Sequence, residues 1–361
     1  MRTPKQKNLL ATVILTLASL SMQAAETFVS FTGGDLLLNA QEKVSIYVDN
    51  DDERGVALAA RNVAADMEKV CGAKGEVSAD ASAVIVAGTL GHSQLIDRLA
   101  REGKLNGRDL RGRREKYVIT LVGQQLVIAG SDRRGTIYGL YELSRQMGVS
   151  PWYYWADVPV EHHAPVYINK GVYTDGEPAV RYRGIFLNDE APCLTTWVKN
   201  TFGTNYGDHH FYARVFELIL RLKGNFMWPA MWSWAFYADD PENSQLADQM
   251  GIIMGTSHHE PMARNHQEYA RRRSEWGPWN YQTNQQRLDQ FFREGIERMK
   301  GTDDLVTIGM RGDGDEAMSH DADTKLLSRI VENQRNIIKQ VTRRPASKTP
   351  QVWALYKEVL D

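Results

Sequence analysis

The sequence predicts an α/β fold, with a small N-terminal α/β domain followed by an incomplete (β/α)8 TIM barrel. The first observation is a strand, loop and helix pattern that repeats from residue 179, which indicates a parallel sheet. The second is the spacing of the strands, roughly 25–55 residues, which suits a barrel with long loops. A full barrel typically needs about 250 residues. Only about 180 follow position 180, so we expect about five βα units. A doubly wound open sheet is the structural alternative.

Residues 1–25 are typical of a signal peptide. Arg2, Lys5 and Lys7 form a positively charged N-terminal region, and residues 9–22 form an apolar stretch. Ala24 and Ala25 provide the small residues of a cleavage site. A membrane anchor is the alternative reading of this stretch. We expect an exported protein, secreted or periplasmic, with no membrane attachment once the signal is removed.

Residues 26–150 predict the N-terminal α/β domain. Its predicted elements are strand 44–48, helix 51–71, strand 83–87, helix 92–102, the hairpin 117–121 and 125–129, and helix 135–147. The glycine-rich loops of nucleotide sites are absent from this part of the sequence, so no nucleotide chemistry is predicted.

Residues 151–178 carry several prolines and predict a linker, and 179–361 predict the barrel. The predicted barrel strands are 182–187, 225–231, 251–256, 305–310 and 352–356, and the predicted helices are 211–223, 285–299 and 325–341.

The net charge and the cysteine content give no indication of a nucleic acid partner, a disulfide framework or a cysteine-rich metal site. The formal net charge is −2, which does not indicate nucleic acid as a partner. The two cysteines, Cys71 and Cys193, lie in different predicted domains and predict neither a disulfide framework nor a cysteine-rich metal site.

Polar residues recur where the predicted barrel strands end. In a parallel barrel the active groups lie past the carboxyl ends of the strands. The residues placed there are Asn188, Asp189 and Glu190; Asn225 and Trp228; His258, His259 and Glu260; Arg311, Asp313, Asp315 and Glu316; and Lys357 and Glu358. This recurrence predicts a site.

Glycoside hydrolysis suits this set because it needs two carboxyl groups, one acid and one base or nucleophile. Arg311 could hold a substrate carboxylate in a bidentate fork, with Lys357 as the second choice, and His258 could donate to a hydroxyl. Each loop acid has a purely structural alternative as a turn residue or helix cap.

Two metal readings compete with this hypothesis. Asp313-Gly314-Asp315 resembles the start of a calcium loop, although the full pattern is absent. His258-His259-Glu260 resembles a metal cluster, but neighbours on an extended segment would point to opposite sides. The expectation is therefore that no metal or other cofactor takes part.

Five blocks of sequence, together with 135–160, resemble glycoside hydrolase family 115. They are YRGIFLNDEAP at 182–192, KGNFMWPAMW at 223–232, MGTSHHEPM at 254–262, IGMRGDGDEAM at 308–318 and WALYKEVLD at 353–361. The segment 135–160 resembles that family's N-terminal α/β domain and its exit.

The resemblance implies an enzyme that removes glucuronic acid or its 4-O-methyl ether from glucuronoxylan. It would cleave the α-1,2 bond to xylose with inversion and without a cofactor. The family motifs put Asp189, His258, Arg311, Asp315 and Glu358 in the active site. We hypothesise that Glu358 is the acid and Asp315 the base. The roles could be exchanged, and Asp189 could share the base role.

The family's proteins are much longer than this sequence, and their pockets also use later barrel strands. The alternative function is therefore a truncated, non-catalytic fragment that at most binds acidic xylan, and another barrel hydrolase that uses a metal is a third possibility. Glucuronoxylan or aldouronic acid oligosaccharides are the expected partners, with a possible homodimer through regions absent here.

Overall fold

A mixed six-stranded sheet organises the N-terminal part of the computed structural model, which describes residues 27–188, 191–318 and 323–354. The elements up to residue 173 are β1 (Val29–Ser30), β2 (Leu36–Leu37), β3 (Lys43–Val48), α1 (Arg54–Cys71), β4 (Lys74–Ser78), β5 (Ile85–Thr89), α2 (Gln94–Arg101), β6 (Tyr117–Val122), β7 (Gln125–Gly130), α3 (Arg133–Gln146), β8 (Tyr167–Ile168) and β9 (Val172–Tyr173).

The six strands are ordered β4-β3-β5-β7-β6-β9. Strand β5 is buried along its whole length because it lies between β3 and β7, parallel to both, and because α1, α2 and α3 pack against it. Helix α1 ends at Gly72, whose φ of 72° is readily adopted by glycine and whose N–H caps the carbonyl of Glu68. The strands and helices predicted for residues 44–147 are all present.

Strand β4 was not predicted, because its sequence KGEVS is only partly buried and lacks an alternating apolar pattern. The predicted linker 151–178 also contains short strands. Strand β8 pairs with β1 and β2, and β9 extends the main sheet by pairing with β6. The domain boundaries themselves stay predictions.

Five parallel strands follow in the second part of the chain. The elements are β10 (Gly184–Phe186), α4 (Cys193–Phe202), α5 (His209–Arg221), β11 (Phe226–Trp228), α6 (Phe236–Asp239), α7 (Glu242–Met250), β12 (Ile253–Met254), α8 (His266–Arg271), α9 (Arg273–Trp276), α10 (Tyr281–Arg298), β13 (Val306–Thr307), α11 (Thr324–Thr342) and β14 (Gln351–Val352).

These strands lie side by side in chain order. Strands β10, β11 and β12 pair in parallel, as do β13 and β14. The two groups meet where the N–H of Leu305 donates to the carbonyl of Met254 at 2.9 Å. Among the described strands the sheet does not close, and Ile185 and Phe186 of β10 are 39% and 43% exposed. The predicted incomplete barrel is thereby confirmed.

One hydrophobic core joins the two parts of the chain. It includes Val63 of α1, Tyr138 of α3, Phe216 of α5 and Met227 of β11. A second core forms between α10, α11 and β13, around Phe292 and Ile338. Among the described helices, none has the length and apolar composition that a bilayer crossing requires.

Buried ion pairs stabilise the interface between the N-terminal part and the barrel part of the chain. Arg221 of α5 donates from Nη2 to Oδ2 of Asp66 in α1 at 2.8 Å, and from Nε to Oε1 of Glu217 at 2.8 Å. Ser144 of α3 accepts from Nη1 of the same arginine at 2.9 Å. Every one of these side chains is buried, so the N-terminal sheet and the barrel share a polar as well as an apolar contact.

Candidate active site

The loops after β12 and β13 are hydrogen-bonded to each other at the carboxyl ends of their strands. The N–H of Met262 donates to the carbonyl of Thr307 at 2.8 Å, and the hydroxyl of Thr307 donates to the carbonyl of Thr256. The amide of Gln334 in α11 binds both the N–H and the carbonyl of Gly309, each at 2.7 Å. Two loops that are about 50 residues apart in the sequence are thus held at one edge.

Asp315 lies at the centre of the polar cluster that these loops form. Its Oδ1 accepts from Nε of Arg311 at 2.5 Å and lies 3.0 Å from Nε2 of His258. Nη2 of Arg311 donates to the carbonyl of Asp315 at 2.7 Å. All three side chains are at most 10% exposed. Charge-assisted hydrogen bonds in a buried setting fix the orientation of the carboxylate.

The backbone at Asp315 is unusual for a residue with a side chain. Its φ is 68°, and the preceding Gly314 has a φ of 64°. Aspartate adopts this left-handed region more readily than most residues, at some conformational cost. The turn formed by Asp313–Asp315 therefore directs two carboxylates, two residues apart, to different partners.

His259 joins the cluster, contrary to the expectation that His258 and His259 point to opposite sides. The two histidines lie in a turn, which the N–H of Glu260 closes by donating to the carbonyl of Ser257 at 3.1 Å. Possible metal-ligand atoms of His258, His259 and Asp315 therefore all lie within 4.8 Å of one another. The expectation was wrong because it assumed an extended segment. The donor set, two imidazoles and one carboxylate, is one that could hold a metal.

Burial shifts the pKa values of the two residues that follow His258. Desolvation, followed by the charges of His266 and His258, lowers the pKa of His259 to about 3, so its imidazole is neutral. Desolvation raises the pKa of Glu260 to about 8. One oxygen of Glu260 accepts from the N–H of His266 at 3.0 Å and from the amide of Asn265 at 3.3 Å. Among the described residues, its other oxygen has no hydrogen-bond partner.

Asp313 makes a separate set of contacts at the outer side of the same turn. It accepts from both terminal nitrogens of Arg273, at 2.5 and 2.8 Å, and lies 3.1 Å from Nε2 of His266. The Arg273 guanidinium lowers the pKa of the Asp313 carboxyl below its usual range. Asp313 is 42% exposed, whereas Asp315 is 6% exposed. Of the two acids, Asp315 is the one enclosed by the cluster.

Two tryptophans lie on the loop side of β11. Trp228, predicted to bind substrate, ends the strand and packs edge-on against Phe186, with ring centroids 5.6 Å apart. Trp232, which was not selected from the sequence, is 37% exposed and its ring lies 5.3 Å from that of His259. It is the last residue of the block KGNFMWPAMW, and its place in that block was the only feature of the sequence that pointed to the site.

Asn225 is a correction to the predicted site. It precedes β11 and so lies at the amino end of the strands, opposite the cluster around Asp315. Its side chain is fully buried, donating to Oε1 of Glu115 at 2.7 Å and to the carbonyl of Arg181 at 2.8 Å. It also lines a cavity of about 650 Å³ at that end. The prediction was wrong because Asn225 was placed among the carboxyl-end residues although it is the first residue of the predicted strand 225–231, and the first residue of a strand lies at its amino end.

Three predicted site residues, Asp189, Lys357 and Glu358, lie outside the described residues, as does the predicted signal peptide. Their roles, and the separation of the two catalytic carboxyl groups, therefore stay predictions. Of the remaining predicted residues, the structure brings His258, Arg311 and Asp315 together. It adds His266, which was not selected from the sequence, and it brings in His259 and Glu260, which the sequence placed after the third strand without a catalytic or substrate-binding role.

Comparison with known proteins identifies one enzyme family over the barrel part of the chain. The family model described as glycosyl hydrolase family 115 matches residues 175–361, just over half of the chain. A solved structure described as a family GH115 4-O-methyl-alpha-glucuronidase, BtGH115A, with specificity for decorated arabinogalactans, is 32% identical with a TM-score of 0.82. The match covers 90% of this chain and 44% of that one, so the chain spans less than half the length of this relative.

More distant structures share the fold alone. The chitobiase of Flavobacterium johnsoniae is 11% identical with a TM-score of 0.53, over 88% of this chain and 50% of that one. A β-hexosaminidase mutant of Streptomyces plicatus is 12% identical with a TM-score of 0.51, over 86% and 62%. A search of curated protein sequences finds no match. The family match, the similarity to BtGH115A and the blocks around His258 and Asp315 together show that the chain belongs to glycosyl hydrolase family 115.

Proposed function

We propose that this protein is an exported α-glucuronidase that acts on glucuronoxylan. It would remove glucuronic acid or its 4-O-methyl ether by hydrolysing the α-1,2 bond to xylose, with inversion of configuration. The observation that carries the proposal is the buried Asp315 carboxylate, bound to Arg311 and His258 at the carboxyl ends of the strands in a family 115 chain.

Asp315 is the proposed general base. A carboxylate with a fixed orientation can accept a proton from water while keeping that water in line with the sugar carbon. Glu358 is the proposed general acid that protonates the departing xylan oxygen, and Asp189 could share the base role. The assignment requires the carboxyl groups of Asp315 and Glu358 to lie about 6.5–9.5 Å apart, which leaves room for the water.

Arg311 was predicted from the sequence to hold the substrate carboxylate, and its contacts in the structure indicate a different first role. Nε and Nη2 of its guanidinium are engaged with Asp315. Holding the base is therefore its first function in this proposal. Contact with the uronate carboxylate is proposed as a second role of the same guanidinium, with Lys357 as the alternative partner and His258 as a donor to a sugar hydroxyl.

A second substrate class has specific support. BtGH115A, which shares 32% identity with this chain, is described as specific for decorated arabinogalactans. A glucuronic acid cap on arabinogalactan is therefore the second candidate substrate, with the same proposed chemistry at Asp315.

Uronate release decides between the substrates and the non-catalytic alternative. The chain is incubated with aldouronic acids and, in parallel, with glucuronic acid-capped arabinogalactan oligosaccharides, with Asp315→Asn as the inactive control. Release from the first substrate alone supports the xylan proposal, and release from the second alone supports the arabinogalactan candidate. Binding without release from either would refute the enzyme proposal and leave a module that binds acidic polysaccharide.

Proton NMR of the first product tests the stereochemistry. Inversion predicts that the β-anomer of the uronic acid appears first, before mutarotation. Initial formation of the α-anomer would refute the single-displacement mechanism. The proposal also expects hydrolysis to persist in EDTA, since no metal has a role in it.

A further inference from the structure

We propose that His258, His259 and Asp315 form a binding site for a borderline divalent cation of the Zn²⁺ class. The ion would inhibit hydrolysis by occupying Asp315. Binding of the ion is independent of the proposed function, and only the inhibition rests on it.

The geometry of the three side chains supports the site. Their possible ligand atoms all lie within 4.8 Å of one another. Ligands about 2.0–2.2 Å from a tetrahedral zinc ion lie about 3.4 Å apart. Side-chain rotations that move the atoms by about 1 Å would therefore complete a three-ligand site. A fourth position would remain for water, as in zinc sites that are open to solvent.

His259 provides an independent observation. It is 2% exposed, and among the described residues its Nδ1 has no hydrogen-bond partner. Buried polar atoms without partners are uncommon in folded proteins because each costs the free energy of its lost hydration. An ion or a ligand atom at this cluster would satisfy such a nitrogen.

The donor set selects the class of ion. Two imidazole nitrogens and one carboxylate oxygen suit Zn²⁺, Ni²⁺ or Cu²⁺. Ca²⁺ and Mg²⁺ prefer shells made of oxygen atoms. The calcium-loop alternative at Asp313–Asp315 is also disfavoured, because Asp313 binds Arg273 and Asp315 binds Arg311.

Arg311 limits the affinity of the site. Its guanidinium lies 2.5 Å from Oδ1 of Asp315 and repels a cation. The ion must also replace the direct contact between Nε2 of His258 and the same oxygen, which lie 3.0 Å apart. Binding should therefore be weaker than in a closed structural zinc site and reversible by chelators.

Calorimetric titration of the full chain with ZnCl₂ tests the site. The wild type should bind one ion per chain, and both His259→Leu and Asp315→Asn should bind at least 10-fold more weakly. His210→Ala is the matched control, because His209 and His210 are also adjacent but lie outside the cluster; it should retain wild-type affinity. Asp315→Asn preserves side-chain shape and decides the test if His259→Leu fails to fold.

Two outcomes would overturn the proposal. One is the absence of a one-to-one site in the wild type, and the other is binding by Asp315→Asn within threefold of the wild type. Inhibition is then measured on aldouronic acids, where ZnCl₂ should reduce hydrolysis and EDTA should restore it. Zinc binding at the cluster without hydrolysis in either condition would refute the proposed function and leave the metal site standing.

Discussion

Two buried polar clusters lie at opposite ends of the barrel sheet, and they differ in how completely their atoms are paired. At the amino end, Glu115 accepts from Nε of Arg134, Nη2 of Arg183 and the amide of Asn225, each at 2.7 Å. At the carboxyl end, His259 and Glu260 each have a buried atom without a hydrogen-bond partner among the described residues.

The difference separates a fully paired structural network from a candidate binding site with unpaired atoms. A buried carboxylate with three donors compensates its own desolvation and holds the N-terminal sheet to the barrel. Unpaired atoms next to a carboxylate are costly for stability, and they are the kind of feature found where a protein binds a ligand. We therefore expect substitutions at the two ends to separate stability from activity.

Asp315→Asn should have the largest effect. Hydrolysis per folded molecule should fall by about 10²–10⁴-fold, because the amide cannot accept the proton from water. Asp313→Asn in the same turn is the matched control, since that residue is half-exposed and bound to Arg273. Its activity should stay within 10-fold of the wild type. Equal losses for both variants would contradict the assignment of Asp315 as base.

Glu115→Ala should have the largest effect on stability. Removing the carboxylate leaves Arg134 and Arg183 without their shared buried partner, which should cost about 3–5 kcal/mol of unfolding free energy. Urea denaturation measures this loss. Hydrolysis per folded molecule should be unchanged, and a stability loss below about 1 kcal/mol would show that the network is not the structural link described above.

Glu260→Gln should change the pH dependence of stability. Burial raises the pKa of Glu260 to about 8, so the folded protein keeps the proton that the unfolded chain releases near pH 4.5. The contribution of Glu260 is therefore fully present below about pH 4.5 and is lost as pH rises through about 8.

Urea unfolding at pH 5 and pH 9 tests this dependence. The wild type should lose more stability over that interval than Glu260→Gln, by on the order of a few kcal/mol. Glu161→Gln, at a side chain that is 84% exposed, is the control. The same pH dependence in all three proteins would mean that Glu260 is not held protonated.

Asn225→Ala should have the smallest effect on stability of these substitutions. It tests directly whether Asn225 has a structural role or binds substrate. It leaves Glu115 with one donor fewer and the N–H of Arg183 without its acceptor, at a cost of about 1–3 kcal/mol. Thermal unfolding measures that cost. The KM for aldouronic acids should not change. A raised KM with unchanged stability would restore Asn225 to the substrate site.

Much of the fold could be predicted because its signals are local. The apolar periodicity of residues 211–223 and 325–341 predicted α5 and α11, and the hairpin around Gly123 has the predicted pairing. Strand β4 was missed because a half-buried edge needs no apolar alternation. Asn225 was misplaced because it was grouped with the carboxyl-end residues although it begins the predicted strand 225–231, and it lies directly before β11 in the structure.

By itself, the sequence determined the alternation of strands and helices, the family blocks and the order in which polar residues follow the strands. Only the tertiary structure decided that His258, His259 and Asp315 meet, that Glu115 and Asn225 form a separate network, and which atoms remain unpaired. The physical reason is that periodicity and turn signals act over a few residues. Burial and pairing instead depend on contacts between loops about 50 residues apart or more.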